Sequence, residues 1–381
     1  MVNFFSPLHG GGSIEAAYQL SRALVRRGQE VMIYTSDFEL DQEYINYLSE
    51  VKVYPFHNWL KLAELCLTPA IFRKAKREVS SFDIIHLHNY RTFQNIVAHH
   101  YAMKYDIPYI LQAHGSLPKI MAKQRLKQVY DNIWGYRLLK DASKVIALTE
   151  MEAEQYKSMG VAEDKIEIVP NGIDLSEFEN LPPRGEFRKK WNIDDSQRIV
   201  LYLGRIHKIK GLDLLVKAFA DLTKRLSAIR LVIAGSDDGY LPELQKLIRE
   251  LKIGEKVLST GLLYGRDKLE AYVDADVYVL PSIYEIFGIT VLEALACGTP
   301  VILTDRCGIA DVINSQAGLV VPYDKDQLSN AIGYMLNDDK RRQDLSKKDK
   351  LLVHEQFDWA KIAGLVENVY LKAVYHQEVE S

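Results

Sequence analysis

The sequence predicts an α/β protein built from two doubly wound, Rossmann-like domains, each with a parallel sheet. The first observation is length, because 381 residues exceed what one hydrophobic core usually supports. The second is an alternation of short apolar runs with segments of helical periodicity, which is typical of parallel sheets covered by helices. The third is that polar residues follow several apolar runs, as at the ligand-binding edge of such a sheet.

Composition indicates an ordinary soluble chain. Hydrophobic residues make up 48% of the sequence and charged residues 26%, and the net charge is −3. These values exclude a disordered or fibrous chain and argue against nucleic acid as a partner. The charge is unevenly distributed, because residues 52–140 contain 14 Lys or Arg against five Asp or Glu. This local excess predicts that the first domain meets an anionic surface.

Cysteine spacing and the start of the chain both favour the cytoplasm. Cys66, Cys297 and Cys307 lie far apart without the spacing of metal ligands, and a sparse, odd set suits a reducing compartment. The chain begins with an apolar run and shows no secretory leader pattern. No apolar run approaches the roughly 18 residues needed to span a bilayer. We expect a cytoplasmic protein, with the inner membrane face as a candidate peripheral location.

The first half opens with a βαβ unit whose first turn is rich in glycine. A strand at residues 2–6, a loop containing Gly11 and Gly12, and a helix over residues 13–27 precede a strand at residues 30–35. The glycines do not form a dinucleotide-binding fingerprint. Two interpretations stay open for this loop, a tight turn and a close backbone approach to a ligand.

Two further strands of the first half end in histidine. The strand at residues 82–88 carries His86 and His88, and the strand at residues 108–115 carries His114 just before a glycine. We interpret His86 as a structural residue. The spacing of the histidines does not match a zinc site. His114 is expected at the carboxyl edge of the sheet, where ligands of such folds bind.

Two segments of the first half mix basic and apolar side chains. They are residues 59–76 and residues 117–140, and the second is expected to be helical. Such a mixture suits docking on an anionic membrane surface, and a solvated charged helix face is the alternative. The residues of the second segment that carry this prediction are Lys119, Lys123, Arg125, Lys127, Arg137, Lys140, Ile120, Met121, Tyr130, Ile133 and Trp134.

A proline-rich stretch at residues 181–185 is the one linker-like segment, and it places the domain boundary. The prediction is a first domain at residues 1–180, a second at residues 181–358 and a C-terminal helix at residues 359–381. Strands of the second domain are expected at residues 198–203, 231–235, 257–261, 276–282, 301–304 and 317–322.

Charged pairs follow two strands of the second domain. Arg205 and Lys210 lie on one strand-to-helix loop, where two cations can meet a diphosphate from two sides. Glu285 and Glu293 have seven residues between them, and a helix is expected to begin near Ile289. The start of a helix favours anions because its first N–H groups are unpaired. Solvated side chains are the alternative for each pair taken alone.

Three sequence features together resemble the retaining GT-B glycosyltransferases of family 4. They are the G-R-x4-K-G pattern at Arg205 and Lys210, the E-x7-E pair, and the run EALACGTPV around Glu293. The resemblance covers nearly the whole chain. It implies two Rossmann-like domains facing across a cleft, with the C-terminal helix returning to the first. It also implies hexose transfer from a UDP- or GDP-activated donor to an acceptor hydroxyl, without a metal or other cofactor.

The resemblance assigns roles to individual residues. Arg205 and Lys210 neutralise the leaving diphosphate, and His114 contacts the donor sugar. Glu285 holds sugar hydroxyls, and Glu293 holds ribose hydroxyls. The basic and apolar segments at residues 59–76 and 117–140 favour a lipid-linked or polysaccharide precursor as the acceptor. Further donor-binding positions that the resemblance implies are Gly11, Gly12, Gly235, Leu263, Phe287, Gly288, Ile289 and Thr290.

The chain departs from the family pattern at two places. Ile286 stands where a glycine is usual and is expected to add bulk beside the donor sugar, and residues 307–311 replace the usual GG-I-P-E. The alternative function is a sugar-nucleotide epimerase of the same architecture, which lacks the combination of charged motifs. A third hypothesis is a non-catalytic sugar-nucleotide sensor.

Overall fold

The computed structural model describes residues 1–3, 12–40, 49–62, 65–120 and 123–380. The chain divides into two compact units, the first formed by Met1–Gly172 with Trp359–Ser381 and the second by Ile173–Asp358. Each unit is an α/β fold with parallel strands, as predicted. The linker-like stretch at residues 181–185 lies inside the second unit.

The sheet of the first unit is extended by the residues at the start of the chain. Val2 donates its N–H to Tyr34 (2.9 Å), and His88 donates to the carbonyl of Met1 (3.0 Å). Residues 1–3 therefore connect β1, paired with β2, to the parallel sheet of order β5-β6-β7-β8. Residues 4–6 of the predicted first strand lie outside the described residues. The strands are β1 (Met32–Ser36), β2 (Lys52–Phe56), β3 (Leu60–Leu62), β4 (Leu65–Leu67), β5 (Ile85–His88), β6 (Tyr109–Gln112), β7 (Lys144–Ala147) and β8 (Ile166–Ile168).

Helices cover the strands of the first unit and are capped by side chains that the sequence supplies. Thr92 accepts a hydrogen bond from Asn95 N–H, and Thr149 accepts one from Glu152 N–H at the start of the helix that follows β7. A π-helical turn at Asp131–Gly135 separates α4 from α5. The helices are α1 (Gly12–Arg26), α2 (Ala70–Glu78), α3 (Phe93–Tyr105), α4 (Gln124–Tyr130), α5 (Tyr136–Asp141) and α6 (Glu150–Ser158).

The second unit is a six-stranded parallel sheet. The strands are β9 (Arg198–Leu203), β10 (Ile229–Ala234), β11 (Val257–Gly261), β12 (Val277–Leu280), β13 (Val301–Thr304) and β14 (Gly318–Val321). The four inner strands are almost entirely buried, as expected where helices cover both faces, and the edge strands β11 and β14 are partly exposed. The strand order across the sheet is β11-β10-β9-β12-β13-β14, so successive strands are added to one side up to β11 and to the other side from β12 onward. Ligands of such sheets bind outside the carboxyl ends of the strands at this switch, between β9 and β12.

Each crossover between these strands carries a helix with a buried apolar face. In the helix after β9, for example, Leu212, Leu215 and Phe219 are fully buried. The helices are α7 (Glu186–Lys190), α8 (Leu212–Leu222), α9 (Leu241–Glu250), α10 (Gly265–Asp274), α11 (Ile289–Ala296), α12 (Ala310–Gln316), α13 (Lys325–Asn337) and α14 (Asp339–Gln356).

The C-terminal helix α15 (Trp359–Glu380) belongs to the first unit. Glu367 accepts a hydrogen bond from Nε of Arg27 (2.7 Å), and the Tyr370 hydroxyl lies 2.8 Å from Nδ1 of His86. These contacts fix the helix against α1 and β5. None of the helices formed by the described residues combines the length and the apolar character required to cross a membrane.

Candidate active site

Arg205 lies directly after β9, and the backbone around it is held by three hydrogen bonds. The Tyr202 hydroxyl donates to the Arg205 carbonyl (2.7 Å), and Ile206 N–H donates to Ser236 (2.8 Å). Asp238 N–H donates in turn to Ile206 (3.1 Å). The Arg205 guanidinium pairs with Asp238 at 2.7 Å, and both side chains are about half exposed. A guanidinium held this way is available to a phosphate that takes the place of the carboxylate.

Gly235 allows the loops after β9 and β10 to touch. Its φ is +153°, and a Cβ at this position would lie 1.8 Å from the Gly204 carbonyl oxygen. The next acidic residue, Asp237, accepts hydrogen bonds from the N–H groups of Gly239, Tyr240 and Leu241, each at 3.0 Å. These bonds lower the pKa of Asp237. Asp237 therefore shapes the turn before α9.

Lys210 and Glu285 form an ion pair with each other, and their side chains are mostly buried. The backbone of Glu285 is fixed as well, because its N–H donates to Arg306 (3.2 Å) and its carbonyl accepts from Gly308 (2.8 Å). The loop at residues 307–311, which departs from the family pattern, thus supports the position of Glu285. The ion pair thus brings together Lys210, from the crossover after β9, and Glu285, from the loop after β12.

The helix that follows Glu285 begins at Ile289, as predicted. Gly288 has φ +76°, in the left-handed region that favours glycine. Ile289 and Thr290 are the first two residues of the helix, so no helical carbonyl lies one turn before them. Their N–H groups therefore have no partner within the helix itself. The Thr290 side chain accepts a hydrogen bond from the Tyr278 hydroxyl (2.7 Å). The helix start is thus a fixed group of donors for an anion.

Glu293 lies inside this helix and is bound by two residues of α10. Its Oε1 is 2.8 Å from Nζ of Lys268, and its Oε2 accepts from the Tyr272 hydroxyl at 2.9 Å. The Glu293 side chain is only 14% exposed. The carboxylate therefore has a defined orientation.

Three residues near the motifs turn their side chains inward. Phe287 is 4% exposed and packs against Phe357 with ring centroids 6.0 Å apart. Leu263 is 8% exposed and Ile286 4%. Phe287 and Leu263 can therefore offer a ligand little more than backbone. Ile286 is buried as well, and its expected bulk beside the donor sugar stays a prediction.

His114 lies on the loop after β6 in the first unit and belongs to a cluster of histidines. Its Nε2 is 2.9 Å from Nδ1 of His88, and the two rings stack. His86 stacks on His88 in turn, with centroids 4.2 Å apart. Burial lowers the pKa of His114 to about 3, so the imidazole is neutral near pH 7. Its Nδ1 is buried without a hydrogen-bond partner among the described residues, which leaves that atom for a ligand.

Glu152 fixes the loop that carries His114. One carboxylate oxygen accepts from Gly115 N–H (2.5 Å) and the other from Leu148 N–H (2.8 Å), and the side chain is fully buried. Burial raises the pKa of Glu152 to about 7, although both N–H groups oppose the shift.

Of the predicted glycine loop, Gly12 is the first residue of α1. Gly11 lies outside the described residues.

Sequence reasoning missed six residues of these sites. A signal existed for two of them, Tyr202 and Tyr278, because a tyrosine inside a buried strand needs a partner for its hydroxyl. Nothing in the spacing of the others indicated their contacts, which are made mainly between elements distant in sequence. The missed residues are Tyr202, Asp238, Lys268, Tyr272, Tyr278 and Glu152. Within the parts of the chain that the structure describes, no group of three or more His, Cys, Asp or Glu side chains is placed to hold a metal ion.

Two family descriptions match the chain along most of its length. The description "Glycosyltransferase Family 4" matches residues 10–177, and "Glycosyl transferases group 1" matches residues 183–351. Together they cover the Arg205, Glu285 and Glu293 motifs and the His114 loop.

Similar proteins of known family extend this match. A D-inositol 3-phosphate glycosyltransferase of Actinosynnema mirum is 30% identical over 82% of this chain and 80% of its own. An uncharacterized glycosyltransferase of Methanocaldococcus jannaschii is 29% identical over 96% of this chain and 95% of its own. The structure of HepE from Anabaena, in complex with UDP and glucose, superposes with a TM-score of 0.80 at 18% identity, covering 96% and 98% of the two chains. The chain belongs to the family 4 glycosyltransferases and has their GT-B fold.

Proposed function

We propose that this glycosyltransferase moves a hexose from a UDP- or GDP-activated donor to an acceptor hydroxyl with retention of configuration. The observation that carries the proposal is the set of charged groups at the β9 and β12 ends, Arg205, Lys210, Glu285 and the start of α11. Departure of a nucleoside diphosphate builds negative charge. Cations and helix N–H groups that are fixed in advance stabilise such charge where it develops.

The proposed reaction needs no protein nucleophile. The acceptor oxygen bonds to the anomeric carbon on the face from which the diphosphate leaves, as the bond between that carbon and the phosphate oxygen breaks. The acceptor proton passes to the leaving phosphate. Glu285 accepts hydrogen bonds from donor sugar hydroxyls, and Glu293 accepts them from the ribose. His114, which is neutral because burial lowers its pKa to about 3, hydrogen-bonds a sugar hydroxyl through Nδ1.

We also propose that the reaction requires no bound metal. Asp238 and Glu285 balance the charges of Arg205 and Lys210, but both cations and the N–H groups of α11 can still donate to phosphate oxygens directly, which supports binding of the diphosphate by the protein itself. Turnover in excess EDTA should equal turnover in buffer. A loss of turnover that returns on adding Mg²⁺ or Mn²⁺ would overturn this part of the proposal.

Membrane contact by the first unit is the remaining part of the proposal. Helix α4 and the π-helical turn that follows it expose apolar side chains on one stripe, with Leu126 58%, Val129 53% and Ile133 48% exposed. The one acid between residues 117 and 140, Asp131, is buried and paired with Arg91 at 2.8 Å. An apolar stripe among cations fits the surface of an anionic bilayer. The proposed acceptor is accordingly a lipid-linked or polysaccharide precursor.

Donor screening tests the transferase proposal. UDP- and GDP-hexoses are incubated with lipid-linked and soluble hydroxyl acceptors, and the anomeric configuration of the product is read by NMR. Retention of the donor configuration is expected. An inverted product would contradict the mechanism. Conversion of the donor to its epimer without an acceptor would instead support the epimerase alternative, which the glycosyltransferase relatives do not favour.

Vesicle sedimentation tests the membrane contact. We expect binding to vesicles containing phosphatidylglycerol, loss of that binding as salt rises, and weaker binding of Ile133→Glu. Neutral phosphatidylcholine vesicles are the control. Equal binding to both kinds of vesicle, or to neither at low salt, would contradict a contact with an anionic surface.

A further inference from the structure

We infer that Lys268 is a positioning residue for nucleotide binding, which acts by holding the Glu293 carboxylate together with Tyr272. Neither Lys268 nor Tyr272 belongs to the sequence motifs around Arg205 and Glu285. The inference rests on the proposed function, because that function makes Glu293 the acceptor for ribose hydroxyls.

The geometry starts with the spacing of the two donors on α10. Lys268 and Tyr272 are four residues apart, so they project from the same face of that helix. Both reach Glu293 on α11, and each contacts a different carboxylate oxygen, at 2.8 Å and 2.9 Å. Two donors on two oxygens fix both the position and the rotation of the carboxylate plane.

Burial makes this arrangement rigid. Lys268 and Glu293 have side chains only 19% and 14% exposed, so water screens their attraction less than it screens a surface pair. Tyr272 is fully buried, and burial raises the pKa of its hydroxyl, which therefore stays a neutral donor. Thr299 donates to the Tyr272 carbonyl at 2.6 Å and fixes the backbone at that end of α10.

The held carboxylate still has room for a ligand. A carboxylate offers about four acceptor positions, and Lys268 and Tyr272 occupy one on each oxygen. The remaining positions have fixed directions, so two ribose hydroxyls can bond without first ordering the side chain. Loss of the Lys268 contact leaves Glu293 with one donor and more rotational freedom. Ordering the carboxylate is then part of the cost of binding.

The experiment is a double-mutant cycle measured by calorimetry. UDP is titrated into wild type, Lys268→Met, Glu293→Gln and the double variant, with GDP in place of UDP if only GDP binds wild type. We expect Lys268→Met to weaken binding about tenfold, and to have little further effect once Glu293 is Gln. Lys268→Arg, which keeps the positive charge, should retain most of the affinity. The matched control is Lys217→Met, which removes an exposed lysine paired with Asp213 on α8.

Ligand variants separate positioning from direct contact. If Lys268 acts through Glu293 on the ribose, Lys268→Met should weaken uridine as much as UDP, and should barely affect 2′-deoxy-UDP. If Lys268→Met weakens the binding of UDP but not that of uridine, Lys268 contacts phosphate directly. That result would overturn the inference. Unchanged UDP affinity in Lys268→Met, while Glu293→Gln is impaired, would overturn it too. If wild type binds neither UDP nor GDP, or if Glu293→Gln binds normally, the proposed function itself fails.

Discussion

The two units hold their candidate ligand groups by opposite means. In the second unit the groups are charged and paired, with Arg205 on Asp238 and Lys210 on Glu285. In the first unit His114 is a neutral imidazole, stacked on His88 and supported by a loop that buried Glu152 fixes. Fixed charge suits an anionic leaving group, and neutral hydrogen-bonding groups suit sugar hydroxyls. The difference therefore matches the proposed roles, in which the second unit binds the diphosphate and His114 binds a sugar hydroxyl.

Removal of Arg205 is the most severe test of this contrast. Arg205→Ala should lower kcat by roughly 10²- to 10³-fold, the loss typical of removing one group that stabilises developing charge. The thermal midpoint should change little, because the Arg205 side chain is about half exposed. Asp238→Asn, which releases the same guanidinium, is the matched control and should retain activity. Normal turnover in Arg205→Ala would contradict the proposal that charged groups of the second unit stabilise the leaving diphosphate.

Replacement of His114 should have a smaller effect with a different pH signature. His114→Ala should reduce kcat/KM by about 10- to 100-fold, because one neutral hydrogen bond to the donor is lost. Burial lowers the pKa of His114 to about 3, so the wild-type rate should show no ionisation of this group between pH 5 and 8. The measurement is the pH–rate profile of the wild type and of His114→Ala. A wild-type inflection near pH 6.5 that disappears in His114→Ala would show a charged histidine and contradict the account.

Acid should destabilise the first unit before the second. Burial lowers the pKa of His86, His88 and His114, so the unfolded chain binds more protons than the folded one below the usual histidine pKa of about 6.5. Their contribution to stability is lost as pH falls through that range. Glu152 acts oppositely, because its raised pKa of about 7 favours the folded state at low pH. The destabilisation caused by the three histidines as pH falls should exceed the stabilisation caused by Glu152.

Hydrogen exchange between pH 7.5 and 5 measures this difference. Amides of β5 and β6 should lose protection on acidification, while those of β9 and β12 keep it. His88→Asn should make the loss shallower. Equal loss in both units would show that the histidine cluster does not govern acid stability.

Glu152→Gln should give the smallest effect, a few-fold loss of kcat/KM. The amide keeps one acceptor oxygen but presents N–H to the other backbone N–H, so one of the two bonds to Gly115 and Leu148 is lost. We expect a stability loss of about 1 to 2 kcal/mol at pH 8, measured by urea unfolding. The loss should be larger at pH 5, because the raised pKa of Glu152 stabilises the folded wild type as pH falls and the uncharged amide makes no such contribution. A loss that does not vary with pH would contradict the raised pKa of Glu152.

The sequence predicted the positions of several strands and of one helix correctly. Strands β9, β11 and β13 lie where the apolar runs placed them, and α11 begins at the expected residue, because local pattern determines both. The antiparallel pairing of β3 with β4 was not predicted, since strands of three residues are too short for a periodic signal.

Partners of the site residues were less predictable than the residues themselves. Arg205, Lys210, Glu285 and Glu293 stand in motifs with local spacing. Their partners, such as Asp238 and Lys268, come from other crossovers, and only the folded sheet brings them near. The role of Glu152 depends on burial, which its position after Thr149 does not reveal.

Calorimetric titration of UDP and GDP at low and high salt tests the central claim most directly, which is that the charged edge of the second unit binds a nucleoside diphosphate. We expect one of the two to bind wild type, with an affinity that falls as salt rises and falls further in Arg205→Ala. Binding of neither nucleotide at low salt, or binding that ignores both salt and Arg205, would contradict the account.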